Sequence, residues 1–300
     1  MASTITIATA PCSWGVWYAD GKPSGTPWNV FLDQAEEAGY KSLELGPDGY
    51  LPTEEQTLRN ELSQRSLGVC AGTACYRFDQ YNSFEDFRPR VETLCRRIKA
   101  FDAKYLVTMD ESDVGTFSEK KKDFSGDLWK KYLTMFRDLG LYTKKEFGIE
   151  TVFHPHIRSL IETEEEIVRM MDFCDLNLCF DTGHHAYVNG GTEQGDQSAV
   201  EFIRKYPERM VYLHFKNVDG KIRKKVADEH LGSDQAFDMD VMCDLRDGII
   251  DFTELKKILD SINYQGIGVI EMDMPRATTD QAFAAAKRNL EYLREIQMIP

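Results

Sequence analysis

Long apolar runs are missing from this 300-residue chain: no stretch approaches the ~18 consecutive apolar residues of a membrane-crossing helix. The N-terminal MASTITIATAP lacks the basic segment followed by an apolar one that marks an export signal. Positive charge is also scarce. The 36 lysines and arginines face 50 aspartates and glutamates, a net charge of −14 that repels phosphate backbones and anionic membrane surfaces. The one basic cluster, KIRKK from Lys221 to Lys225, is short, has no interleaved aromatics, and reads as a solvated loop. The seven cysteines (Cys12, Cys70, Cys75, Cys95, Cys174, Cys179 and Cys243) are odd in number and contain no C-x-x-C pair, which argues against a disulfide framework and suits reduced thiols. These absences predict a soluble, cytoplasmic protein with neither nucleic acid nor membrane as partner.

What the chain does contain is alternation. Short β-branched or apolar runs are followed by longer amphipathic segments, the pattern of parallel strands joined by crossover helices. Eight strands are predicted: Thr4 to Pro11, Ser42 to Gly46, Gly68 to Tyr76, Tyr105 to Asp110, Glu150 to His156, Asn177 to His184, Val211 to Asn217 and Gly266 to Asp273. Ile167, Met170, Met171 and Cys174 share a helical face behind a capping box of Thr163 and Glu166. The first helix is predicted to have Thr26 as N-cap, Pro27 at its first position and Gly39 as its stop. An open doubly wound sheet would carry a Gly-rich phosphate turn after its first strand. Here the turn reads Pro11-Cys12-Ser13-Trp14-Gly15, so the expected fold is α/β, a single (β/α)8 barrel over residues 1–300. The irregular stretch from Asp219 to Asp251 exceeds the usual loop length and is predicted to be an active-site lid.

In such a barrel the chemistry sits at the C-terminal ends of the strands. His154 and His156 end the fifth, His184 and His185 follow the sixth, and His214 lies in the seventh, leaving only His230 elsewhere. Strand alternation puts His154 and His156 on one face, His214 and Lys216 on another, and Glu271 and Asp273 together in the last strand. Asp181 finishes an apolar strand. Each residue alone could be a hydrogen-bonded core group or a turn former. Together, several ionisable groups facing one barrel end are costly to bury unless paired or neutralised by a cation, and mixed nitrogen and oxygen donors suit Mn, Co, Fe or Zn.

The stretches APCSWGVW, VFHPHIRSLIET, FDTGHHAYVNGG, YLHFKNV, DGIIDF and VIEMDMP, in that order from residue 10 to residue 275, resemble the xylose isomerase-like TIM barrel superfamily, and within it the inosose dehydratases. The resemblance implies metal ligands at His154, Asp181, His214 and Glu271. It also implies a hydro-lyase acting on a cyclic keto-polyol such as 2-keto-myo-inositol through a metal-stabilised enediolate, with no organic cofactor. Epimerases and isomerases of this superfamily usually carry a glutamate where His154 stands, and an imidazole there favours dehydration. The chain departs from the dehydratase pattern at Leu245-Arg246-Asp247-Gly248 and at Glu271-Met272-Asp273-Met274-Pro275.

Proton transfer calls for groups near neutrality, so His156, His184 and Lys216 are the catalytic candidates, in no order. Glu44, Asp273 and Trp14 are candidate substrate contacts, with Trp17 a second aromatic that could wall the carbon face of a polyol. The rival activities are a keto-sugar epimerase or isomerase and an enzyme eliminating from 3-keto-glycosides. A barrel that senses a polyol or keto-sugar without converting it is the non-enzymatic alternative. Nuclease activity is disfavoured by the charge and by too few ligands for a three-metal site. A homo-oligomer is compatible with the sequence, which reveals no interface.

Overall fold

The structure, a computed structural model, describes residues 3–16, 25–112 and 126–299. Eight parallel strands close into a barrel: β1 (Thr4–Thr9), β2 (Ser42–Glu44), β3 (Gly68–Tyr76), β4 (Tyr105–Asp110), β5 (Glu150–Phe153), β6 (Asn177–Asp181), β7 (Met210–Phe215) and, after a small antiparallel pair β8 (Asn217–Val218) and β9 (Met242–Cys243), β10 (Gln265–Ile270). β1 pairs with both β10 and β2, which closes the ring. The barrel interior is filled by Ala8, Ala10, Cys70, Ala71, Val107, Val152, Cys179, Tyr212 and Val269, all buried. A larger apolar layer lies between strands and helices, with Phe31, Phe136, Phe153, Phe180 and Leu213 among its fully buried members. All seven cysteines are free thiols.

Two predicted strands, β3 and β4, have the observed bounds, and the others stop short for local reasons. Pro11, without an N–H, starts the 3-10 turn Pro11–Trp14 instead of extending β1. Pro155 follows β5, and His154 still donates its N–H to Thr108 O at 2.8 Å, so the ladder continues one residue past the regular strand. β6 ends at Asp181 because Asp181 caps the helix Thr182–Asn189, accepting from His184 N at 2.8 Å. Likewise Glu271 N donates to Phe215 O at 3.1 Å beyond the end of β10.

The capping box of Thr163 and Glu166 opens the helix Glu164–Cys174 as expected. The first helix runs from Trp28 to Ala38 and stops at Gly39 with φ 104°, a conformation glycine adopts freely. Its N-cap, however, is Pro27 and not Thr26, whose hydroxyl is turned to Thr279 Oγ1 at 2.8 Å.

The stretch 219–251 is not irregular. Asp219 caps a helix Gly220–Glu229, a second helix spans Ser233–Asp238, and β8 pairs with β9. Its end is held by Asn217 Nδ2, which donates to Leu245 O at 2.7 Å and Ile250 O at 2.9 Å. The basic cluster is therefore helical rather than a loop. Arg223 in its middle is buried, donating to Tyr187 O at 2.8 Å, and Lys224 pairs with Asp228.

Candidate metal centre and active site

Register brings together the residues expected to ligate a metal. Asp181 on β6 stands opposite His214 on β7, and His214 opposite Val269 on β10, two residues before Glu271. With His154 from the end of β5, these place four donor atoms within 4.8 Å of one another, all from buried residues. His214 Nδ1 lies 3.1 Å from Glu271 Oε2 and 3.8 Å from Asp181 Oδ2.

Burial makes this arrangement informative. His154 Nδ1 is buried without a hydrogen-bond partner, a rare condition that costs about 1–3 kcal/mol, and Asp181 Oδ2 and His214 Nδ1 meet only the charged groups around them. Asp181 uses its other oxygen for the helix cap, which aims Oδ2 into the cluster. His214 uses Nε2 for Glu44, donating to Oε1 at 2.9 Å, and that bond turns Nδ1 toward Glu271 and Asp181. A carboxylate holding the far nitrogen of an imidazole is the usual support of a metal-bound histidine. The donor set fits a divalent ion.

Glu44, expected to touch substrate, lines the cavity, yet its oxygens are engaged within the protein. Oε1 also accepts from Tyr212 at 2.8 Å, and Oε2 accepts from Thr73 Oγ1 at 3.3 Å. These bonds hold the His214 ring in place. Tyr212 was missed in the sequence although the signal was there: residues 212, 214 and 216 alternate inward along β7.

Lys216 brings a buried ammonium to the site. Its Nζ lies 2.6 Å from Asp273 Oδ2, 3.0 Å from His184 Nε2, and 3.2 Å from both Asp181 Oδ2 and Glu271 Oε2. Burial works to lower its pKa, but Asp181, Asp273 and Glu271 outweigh it and hold the ammonium well above its ordinary range. Burial and the neighbouring Glu271 push Asp273 up to about 6, against the pull of Lys216. Close packing fixes the lysine, because a Cβ on Gly183 would stand 2.7 Å from Lys216 Cβ. Thr182 Oγ1 donates to Lys216 O at 2.7 Å.

His156 donates Nδ1–H to Ile157 O at 2.8 Å, which leaves Nε2 as its acceptor nitrogen. Burial, then the charge on Lys216, lowers its pKa to about 3, so the ring is neutral. His184 packs its ring 3.9 Å from that of His156, centroid to centroid, and is also held neutral by burial. His154, His156, His214, Lys216, Glu271 and Asp273 border a cavity of about 370 Å³, joined by Cys12, which follows β1, and by Phe237 of the Ser233–Asp238 helix.

Two residues that the sequence places at the barrel rim, Trp14 and His185, lie elsewhere. Trp14 does not border this cavity: it is 1% exposed, packs edge-on against Phe31 at 5.0 Å and donates Nε1–H to Gln34 at 2.8 Å, because the Pro11–Trp14 turn directs it toward the first helix. Trp17 lies outside the described residues. His185 points away from the site, against Phe180 and Phe202 with Nε2 3.2 Å from Glu164, since one residue along a helix from His184 is a rotation of about 100°. His230, at φ 52°, ends the helix Gly220–Glu229.

The family described as xylose isomerase-like TIM barrel matches residues 32–296. The chain is 27% identical to an inosose dehydratase of Bacillus velezensis over 89% of its own length and 91% of that protein's. It is 25% identical to an inosose dehydratase of Clostridium perfringens over 98% of both chains. Among solved structures, the IolI protein with a bound zinc atom superposes with a TM-score of 0.70 at 13% identity, covering 98% of each chain.

Proposed function

The chain belongs to the xylose isomerase-like TIM barrel family, and from that premise we propose that it is a divalent-metal-dependent hydro-lyase, removing water from a cyclic keto-polyol of the inosose type. The observation that carries this reading is the convergence of four buried imidazole and carboxylate donor atoms within 4.8 Å of one another beside a cavity of polyol size, in a chain whose near-full-length relatives are inosose dehydratases.

His154, Asp181, His214 and Glu271 hold the ion. When bound there, a divalent cation supplies Lewis-acid polarisation of the substrate ketone, which acidifies the adjacent C–H. His156 accepts that proton on Nε2, the nitrogen its bond to Ile157 leaves free. Lys216, charged and paired with Asp273, donates a proton to the departing β-hydroxyl, so that one water leaves and an unsaturated ketone remains. His184 fixes the ammonium through Nε2. A histidine at position 154, in place of a second carboxylate facing Glu271, suits this one-way pattern better than the two-sided exchange of an epimerase.

The test is to strip the protein with chelator, restore Mn2+ or Co2+, add 2-keto-myo-inositol, and follow ultraviolet absorbance and product mass. A product lighter by one water, formed only with metal, is expected. An isomer of unchanged mass would replace the lyase with an epimerase. Recovery of the compound unaltered would leave the metal centre standing and remove the substrate. His156→Gln and Lys216→Met should each lower turnover at least ~10²-fold with metal content unchanged; full activity in both would remove the acid–base assignment.

A further inference from the structure

A second set of donors adjoins the first. One nitrogen each from His154, His156 and His184 lies within 4.8 Å of the other two. The ring centroids are 5.4 Å apart for His154 and His156, 5.5 Å for His154 and His184, and 3.9 Å for His156 and His184. Two of the three residues, His154 and His184, are 3% and 2% exposed, and the Nδ1 of each is buried without a hydrogen-bond partner. The third has its Nδ1–H tied to a backbone carbonyl, the support that leaves Nε2 ready to coordinate.

Oxygen is absent from this set, and that decides its preference. Imidazoles suit zinc, copper and nickel, whereas manganese and magnesium favour carboxylate oxygen. Charge does not forbid a second dication: Lys216 stands 3.0 Å from His184 Nε2, but Asp181, Glu271 and Asp273 all lie within 3.2 Å of its ammonium. Coordination at His184 Nδ1 would put the proton on Nε2, 3.5 Å from Asp273 Oδ2, exchanging a contact with Lys216 for one with that carboxylate.

We propose that His156 and His184, together with His154 between the two centres, form a second, nitrogen-only cation site that takes zinc-class ions and refuses manganese. His154 can serve one centre at a time. With the mixed centre filled, the second ion keeps two imidazoles and completes its shell with water, so it binds more weakly than the first.

Metal stoichiometry on the full chain tests this directly. Equilibrium dialysis should give one Mn2+ per chain at every concentration, but one tight and one weaker Zn2+. His184→Phe and His156→Phe should each return zinc to one per chain while Mn2+ stays at one, which also reports that the variant is folded. The proposal is overturned if zinc saturates at one per chain, if both variants still take two, or if manganese also binds twice. Loss of all Mn2+ binding in Asp181→Asn with retention of a zinc ion would separate the two centres. One consequence alone rests on the dehydratase reading: excess zinc, covering His156 and His184, should inhibit turnover where equal manganese does not.

Discussion

Asp181 shows how one side chain can serve folding and chemistry through its two oxygens. Oδ1 caps the helix Thr182–Asn189, and Oδ2 is aimed among His154, His214 and Glu271. Asparagine caps a helix as well as aspartate does but carries no charge. Asp181→Asn should therefore weaken Mn2+ binding at least ~100-fold, read by calorimetry, while the melting temperature of the metal-free protein stays within ~2 °C of the wild type. Far from the site, Asp260 ties the start of the chain to the helix Phe252–Ser261: it accepts from Ser3 N at 2.9 Å and Ser3 Oγ at 2.6 Å and pairs with Lys256 at 2.5 Å. Hydrogen bonds from Lys256 and Ser3 lower its pKa to about 2. A depressed folded-state pKa stabilises the fold above the unfolded value of about 3.9 and loses that contribution as pH falls toward 2. Asp260→Asn should cost about 1 kcal/mol at pH 7 after allowance for solvent screening, and the difference should shrink below pH 4 in urea unfolding. Persistence of the full difference at pH 2.5 would assign it to packing.

At the scale of elements, strand-end residues were legible because period-two alternation needs no tertiary information: His154 with His156, His214 with Lys216, and Glu271 with Asp273 all meet at one end of the barrel. Helix-borne residues were not separable in this way. His184 enters the site and His185 does not, a distinction set by the phase of the helix Thr182–Asn189, which Asp181 fixes as its cap. The 219–251 excursion read as a loop because its helices are short and polar, and their burial comes from Val226, Ala236 and Phe237 meeting the rest of the fold. We propose that it acts as a lid, through Phe237 at the cavity wall. Limited proteolysis within 219–251 should slow when Mn2+ and substrate are added together. Cleavage at the same rate with and without them would make the segment a fixed wall.

For the whole molecule, the metal should couple to stability, since a centre assembled from four strand ends does not exist in the unfolded chain. At ~100 times its dissociation constant, Mn2+ should add about 2.7 kcal/mol and raise the melting temperature by several degrees, an increase that chelator reverses. An equal shift in Asp181→Asn would place the stabilising ion elsewhere. The count and order of strands and helices, and with them the barrel, follow from the alternation along the chain. Which strand-borne residues face the rim follows likewise, because side-chain direction along a strand is set by backbone geometry alone. Which of these residues share a point in space depends on how the strands pack. Glu44 on β2 and His214 on β7 are 170 residues apart, yet 2.9 Å separates them across the barrel mouth. The same closure turns Trp14 into the layer between strands and helices and sets Lys216 among three carboxylates. Register and barrel closure set these distances, and they arise from packing every strand against two others, which no local pattern in the chain encodes.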